Sequence, residues 1–175
     1  MELGDLKMAA TYEPIQTQTL ASNQASVVFS NISQSYTDLV LVCTVASSST
    51  NTVFIRFNGD TATNYSASRL YGSGSVAGSD RDTNAAYGLL TNYAWPTSTV
   101  GDSNVIVSIP NYNNSIVSKT WISRANRAAA GVDAIVGLWR PANAITQISL
   151  STNGFAATTT LLSGSIFTLY GIKAA

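Results

Sequence analysis

The chain has 175 residues, enough for one domain with a sizeable core, and 45% of them are hydrophobic. Only 10% are charged, nine basic and nine acidic, so the net charge is zero and the polarity comes from Ser, Thr, Asn and Gln. This composition excludes a disordered chain, and the lack of a basic excess argues against nucleic-acid binding. The absence of histidine excludes Ser-His-Asp and Cys-His catalytic sites and a conventional zinc site.

At the N-terminus, residues 1–7 lack the apolar core of a signal peptide, and Met8 provides a second plausible start. We expect residues 1–11 to be an extension or an arm that clasps a neighbouring subunit. Residues 12–175 are expected to form a single β-sandwich domain. No stretch of the sequence approaches the length of a transmembrane helix.

Short apolar or alternating runs, separated by Gly, Asn, Ser and Pro, predict strands along nearly the whole chain. The predicted strands are residues 12–20, 25–32, 37–46, 52–58, 65–71, 85–92, 103–109, 116–123, 133–140, 144–151 and 165–172. The best helix candidate is 123–131, a segment equally compatible with a loop. Because no helices are available to cover parallel crossovers, the pattern predicts an all-β fold, a jelly-roll-like two-sheet antiparallel β-sandwich of about ten short strands.

Some segments also indicate their surroundings. The run 39–45 is apolar on both faces, which predicts a central, covered strand with Cys43 as a buried small hydrophobe. The mixed pattern of 116–122 predicts an edge or partly exposed strand. Asn58-Gly59 and Asn153-Gly154 mark turns, and residues 72–83 and 93–101 are expected to be long loops.

Aromatic residues concentrate around these two expected loops. A ring with neighbouring polar groups suits a sugar, whose apolar face stacks while its hydroxyls find donors and acceptors. The candidate glycan or interface contacts are Tyr65, Arg69, Tyr71, Tyr93 and Trp95. The alternative, packing at sheet edges or a subunit interface, is favoured because interfaces also select Tyr, Trp and Arg. Among the carboxylates, no pair stands out as a glycosidase or metal site, so no catalytic, cofactor or metal residue is predicted.

Several phrases resemble a family of small β-sandwich virion structural proteins of tailed phages, including cyanophages. They are residues 8–15 (MAATYEPI), 36–42 (YTDLVLV), 55–60 (IRFNGD), 64–66 (NYS) and 163–175 (SGSIFTLYGIKAA), and they span the chain from Met8 to Ala175. The resemblance implies a virion component that decorates the capsid or belongs to a tail appendage. It supplies no catalytic motif.

The function expected from this resemblance is that of a capsid decoration or cement protein on the capsid exterior. Such a non-enzymatic protein would be a homotrimer bound to the major capsid protein, and its contacts would stabilise the head by mass action. The alternative is the carbohydrate-binding head of a tail fibre or host-recognition appendage, with a host surface glycan as partner. Neither function requires a cofactor, a nucleic acid or a membrane.

Overall fold

A computed structural model describes residues 11–128, 130–156 and 158–173, which form twelve β-strands and one 3-10 turn at Asn153–Phe155. The strands are β1 (Tyr12–Thr19), β2 (Ser26–Phe29), β3 (Asp38–Val45), β4 (Val53–Phe57), β5 (Tyr65–Gly72), β6 (Ala77–Ala85), β7 (Gly88–Leu89), β8 (Ser103–Ile109), β9 (Lys119–Arg127), β10 (Gly131–Trp139), β11 (Ile148–Thr152) and β12 (Ile166–Ile172).

These strands pair antiparallel in two sheets. The larger sheet has the order β1-β12-β3-β8-β9-β10-β5-β6, and the smaller has the order β2-β11-β4-β7. The predicted all-β, two-sheet antiparallel sandwich is therefore confirmed, with twelve strands among the described residues instead of about ten.

Strand β10 shows why one face of the larger sheet is buried and the other exposed. Alternate side chains of a strand point to opposite faces. Asp133, Ile135 and Trp139 point inward and are buried, whereas Val132 and Val136 point outward and are exposed. The inward faces of the two sheets together enclose the core, as in a β-sandwich.

The centre of the core is aromatic. Phe57 of the smaller sheet lies 5.6 Å from both Trp121 and Trp139 of the larger sheet, measured between ring centroids. Burying large rings provides much of the hydrophobic stabilisation of a domain this size. The rings also set the distance between the sheets, and thereby the position of the loops around them.

Two local predictions are wrong, and a third is confirmed in one of its two alternatives. The segment 116–122 was predicted to be an edge or partly exposed strand: β9 is not at an edge, because it lies between β8 and β10, but one of its faces is exposed. The helix candidate 123–131 mostly continues β9, because pairing with both neighbours outweighs the helical preference of its alanines. Residues 72–83 are not a long loop: a short turn leads into β6.

Other local predictions are confirmed. β3 lies in the interior of the larger sheet and buries Cys43, although Val42 on its outward face is 38% exposed. Asn58-Gly59 and Asn153-Gly154 form turns in which all four residues have positive φ, a region that Asn and Gly tolerate. The expected arm, residues 1–11, lies outside the described residues except for Thr11. No helix in the described part of the chain is long and apolar enough to cross a membrane.

Candidate functional site

The predicted contact residues separate into a core residue and a surface group. Tyr65 is fully buried, and its hydroxyl accepts a 2.9 Å hydrogen bond from the Phe57 backbone N–H. Burial raises the pKa of its phenol. The expectation that Tyr65 contacts a glycan or a partner is therefore wrong. It faces inward because its position in β5 has the parity of the buried Ala67.

Three of the remaining candidates come together as an aromatic stack. Tyr93 is the middle ring: its centroid lies 4.2 Å from that of Tyr71 and 5.6 Å from that of Trp95. The interplanar angles are 13° and 16°, so the three rings are nearly parallel. Each ring is half-buried. The stack joins β5 to the segment after β7, a contact that the sequence separation of these residues does not reveal.

A glycine in the edge strand makes room for the stack. Gly78 lies opposite Tyr71 in the β5–β6 pair, and the Tyr71 ring lies directly over it. A Cβ at Gly78 would come within 2.6 Å of the Tyr71 hydroxyl and 2.7 Å of Cζ, well inside van der Waals contact. The missing side chain at position 78 therefore allows Tyr71 to lie across the edge of the sheet.

Asp133 holds the Tyr93 segment in place, a role that sequence reasoning missed. Its buried carboxylate accepts hydrogen bonds from the backbone N–H groups of Asn92, Tyr93 and Ala94 at 2.5, 2.9 and 2.8 Å. Three donors on one carboxylate compensate for its removal from water. The sequence signal was limited to an acidic residue in an otherwise apolar strand, which does not specify its partners.

Arg69 lies on the same inward-facing side of the β5–β6 hairpin as Tyr71. Its guanidinium contacts the Asp80 carboxylate at 2.7 Å and the Asp82 carboxylate at 2.8 Å. Burial disfavours the charged form, but the two carboxylates outweigh it and the pKa of Arg69 is raised. The hydrogen bond from Arg69 lowers the pKa of Asp80. Both carboxylates remain partly exposed and retain lone pairs that can accept further hydrogen bonds.

Each carboxylate in the described part of the chain has a structural partner. Asp80, Asp82 and Asp133 are described above. Of the others, Glu13 forms an ion pair with Lys173, and three accept hydrogen bonds: Asp38 from the Asn111 backbone N–H, Asp60 from Asn64 and Trp139, and Asp102 from Thr97. Within the described ranges, no group of three or more His, Cys, Asp or Glu residues could hold a metal ion.

The second surface of interest is the outward-pointing side of the larger sheet, termed here the outer face. Of the twelve large apolar side chains most exposed in the described residues, seven lie on it: Tyr12, Val42, Leu70, Ile122, Val132, Val136 and Ile166. Leu70 is 63% exposed and Val136 is 53% exposed. A contiguous apolar surface of this kind marks an interaction site more often than an ordinary protein surface.

No protein-family model matches this chain, and no curated protein sequence matches it significantly. A galectin of Caenorhabditis elegans is 10% identical, with 90% of this chain and 96% of that chain covered and a TM-score of 0.36. A toad ovary galectin, solved with thio-digalactose, is 11% identical over 83% and 98% of the two chains, with a TM-score of 0.35. A legume lectin-like domain from Entamoeba histolytica is 9% identical over 94% and 91%, with a TM-score of 0.33. At these scores the likeness carries no argument about a ligand.

Proposed function

We propose that this protein is a structural component of a tailed-phage virion, and specifically a capsid decoration or cement protein. In this proposal it acts as a homo-oligomer on the capsid exterior and binds the major capsid protein. Its mechanism is passive: each added interface favours the assembled shell by mass action.

The outer face is the observation that best supports this role. It is broad and rich in exposed β-branched and aliphatic side chains, which suits a subunit whose main role is contact with neighbouring subunits. The resemblance of residues 8–15, 36–42, 55–60, 64–66 and 163–175 to small phage virion proteins supplies the biological setting. The structural partners of the described carboxylates favour a non-enzymatic role.

The test is the copy number of this protein in purified virions, measured by quantitative mass spectrometry against the major capsid protein. A decoration protein is expected at hundreds of copies per particle and is expected to bind empty capsids. A few copies that remain with purified tails would overturn the capsid assignment.

Carbohydrate binding, in a host-recognition appendage, is a second candidate function. The observation that favours it is the aromatic stack beside the partly exposed Asp80 and Asp82 carboxylates, which can accept hydrogen bonds from sugar hydroxyls. Tyr93 lies between two rings, and Tyr71 lies between Tyr93 and Gly78 of β6, so Trp95 at the other end of the stack is the available platform.

A glycan array probed with the wild type and with Trp95→Ala tests this candidate. Binding that is lost in Trp95→Ala and kept in Ile116→Ala, a change in an exposed loop residue, supports it. Absence of binding to any bacterial surface glycan by the wild type would contradict it.

A further inference from the structure

We propose that a second copy of this chain covers the outer face, in a two-fold pair in which the β1-β12-β3-β8 half of each copy packs on the β9-β10-β5-β6 half of the other. The inference rests on the proposed function for its homo-oligomer and deepens it by naming the surface that the copies share.

Strand register makes the outer face one continuous surface. Residues paired between neighbouring strands lie side by side on the same face. One such row runs through Thr168, Val42, Ile106, Arg124, Ala134, Leu70 and Ser79. The adjacent row runs through Tyr170, Val40, Ser108, Ile122, Val136, Ser68 and Arg81. Aliphatic side chains therefore extend across both halves of the sheet, interrupted mainly by small hydroxyl residues.

The size of the outer face matches what a specific interface needs. Eight strands spaced about 4.8 Å apart give a width of about 34 Å, and seven residues along a strand give about 23 Å. The product is close to the roughly 800 Å² that each partner contributes to a standard protein interface. One further sheet of the same dimensions covers it, and two sheets can pack face to face with interdigitated side chains.

The charges on the two halves differ in sign, which sets the orientation of the copies. Among the described outward-pointing residues, Arg81, Arg124 and Arg140 belong to or flank the β9-β10-β5-β6 half. Asp38 lies at the end of β3 in the other half, which has no described outward-pointing basic residue. Packing opposite halves together keeps the arginines of two copies apart, whereas packing the basic halves together places like charges in contact.

The character of the side chains favours a protein partner of this kind over a small polar ligand. Val42, Ile122 and Val136 have neither hydrogen-bonding groups nor planar rings, and branched aliphatic side chains gain chiefly by exclusion of water. Sheet-on-sheet contact provides that exclusion over the whole face. A second copy is also available wherever the protein is present, at the same concentration as the protein.

Light scattering and sedimentation of the full chain at micromolar concentration test the proposal. The wild type is expected to be oligomeric, and Val136→Lys in one half and Val42→Lys in the other are each expected to reduce the mass to that of a monomer. Ile116→Lys is the matched control, because Ile116 is an exposed apolar residue of a loop outside the outer face, and it is expected to stay oligomeric. Circular dichroism verifies folding, and Ala134→Lys replaces Val136→Lys if that variant does not fold.

A mixing experiment tests the half-on-half arrangement. Val136→Lys keeps one half intact and Val42→Lys keeps the opposite half, so the mixture is expected to form a one-to-one complex that neither variant forms alone. A monomeric wild type, an oligomer indifferent to both substitutions, or a mixture that does not associate would each overturn the proposal. These results are independent of the virion copy number, which alone tests the proposed location on the capsid.

Discussion

At the scale of single residues, the indole of Trp121 fills the space between the sheets because each sheet presents a glycine to it. Gly88 of β7 and Gly137 of β10 both lie against its six-membered ring. A Cβ at either position would overlap the ring, and the Trp121 indole N–H also donates to the Leu89 carbonyl at 3.1 Å, which fixes its orientation. Neither glycine stands out in the sequence, because their role depends on a residue from another strand.

Gly137→Ala is therefore expected to destabilise the fold by about 3 kcal/mol, since the ring cannot move without breaking its hydrogen bond or separating the sheets. Urea unfolding at low protein concentration measures the change. The control is Ser68→Ala, at an outward-facing position of the neighbouring strand β5, and it is expected to have little effect on the free energy of unfolding. Equal stability of Gly137→Ala and the wild type would show that the core accommodates the methyl group.

Asp133→Asn is expected to cost about 2 kcal/mol, because an amide offers one acceptor oxygen and places an NH₂ group among three backbone donors. Loss of this anchor also frees Tyr93 from Tyr71, which reduces the near-ultraviolet circular dichroism of the aromatic stack. Asp102→Asn provides the comparison, since Asp102 accepts a single 3.3 Å hydrogen bond from Thr97. The same loss of signal in both variants would contradict the anchoring role of Asp133.

Asp60 contributes to the pH dependence of stability. Burial alone would raise its pKa, but hydrogen bonds from Asn64, Trp139 and the Ala62 backbone N–H outweigh it and hold the pKa below the usual 3.8. A carboxyl whose pKa is lower in the folded state stabilises the protein above its unfolded pKa of about 3.9, and this contribution is lost as the pH falls through the folded value. We expect Asp60→Asn to be less stable at pH 7 and to lose stability less steeply below about pH 4. Parallel curves of unfolding free energy against pH for the two proteins would be inconsistent with this role.

At the scale of elements, the β5–β6 hairpin differs from the rest of the larger sheet. β6 is an edge strand, and within the described residues its extensive packing is with β5 alone. Its polar sequence resembled a loop because an edge strand with two partly exposed faces needs no apolar alternation. The Arg69 ion pairs and the Tyr71 ring over Gly78 hold it in place instead.

Arg69→Gln is expected to increase amide hydrogen exchange in β6 while changing global stability by only about 1 kcal/mol, because the carboxylates are partly exposed and the hairpin can open locally. Hydrogen exchange measured by mass spectrometry separates local opening of β6 from global unfolding. Arg81→Gln, on the opposite side of the same strand, lacks an ion pair within the described residues and is expected to leave exchange unchanged. Unaltered β6 exchange in Arg69→Gln would refute the role of the Arg69 ion pairs in holding β6 on the sheet.

At the scale of the whole molecule, the outer face connects stability to self-association. An oligomer that binds only folded chains shifts the unfolding equilibrium, so its melting temperature depends on protein concentration. We expect the Tm of the wild type to rise with concentration and the Tm of Val136→Lys to stay constant. Calorimetry over a hundredfold range of concentration measures both, and a wild-type Tm independent of concentration would argue against an oligomer in solution.

The sequence by itself determined the fold class, most strand positions and the two Asn-Gly turns. These depend on local properties: alternation of side chains between two faces, and the φ preferences of Asn and Gly. Local reasoning also predicted Tyr71, Tyr93 and Trp95 as contact residues. It wrongly grouped Tyr65 with them, because a sequence shows an aromatic residue but not the face of the sheet on which it lies.

Only the tertiary structure decided which strands are neighbours, and the functional surfaces depend on that order. β9 is central because β8 and β10 pair with it, and the aromatic stack exists because Asp133 on β10 holds a segment that follows β7. The outer face likewise assembles residues from strands far apart in the chain, such as Val42 and Leu70. Pairing between distant strands depends on the burial and hydrogen bonding of the whole sheet, and therefore cannot be read from any single segment of the sequence.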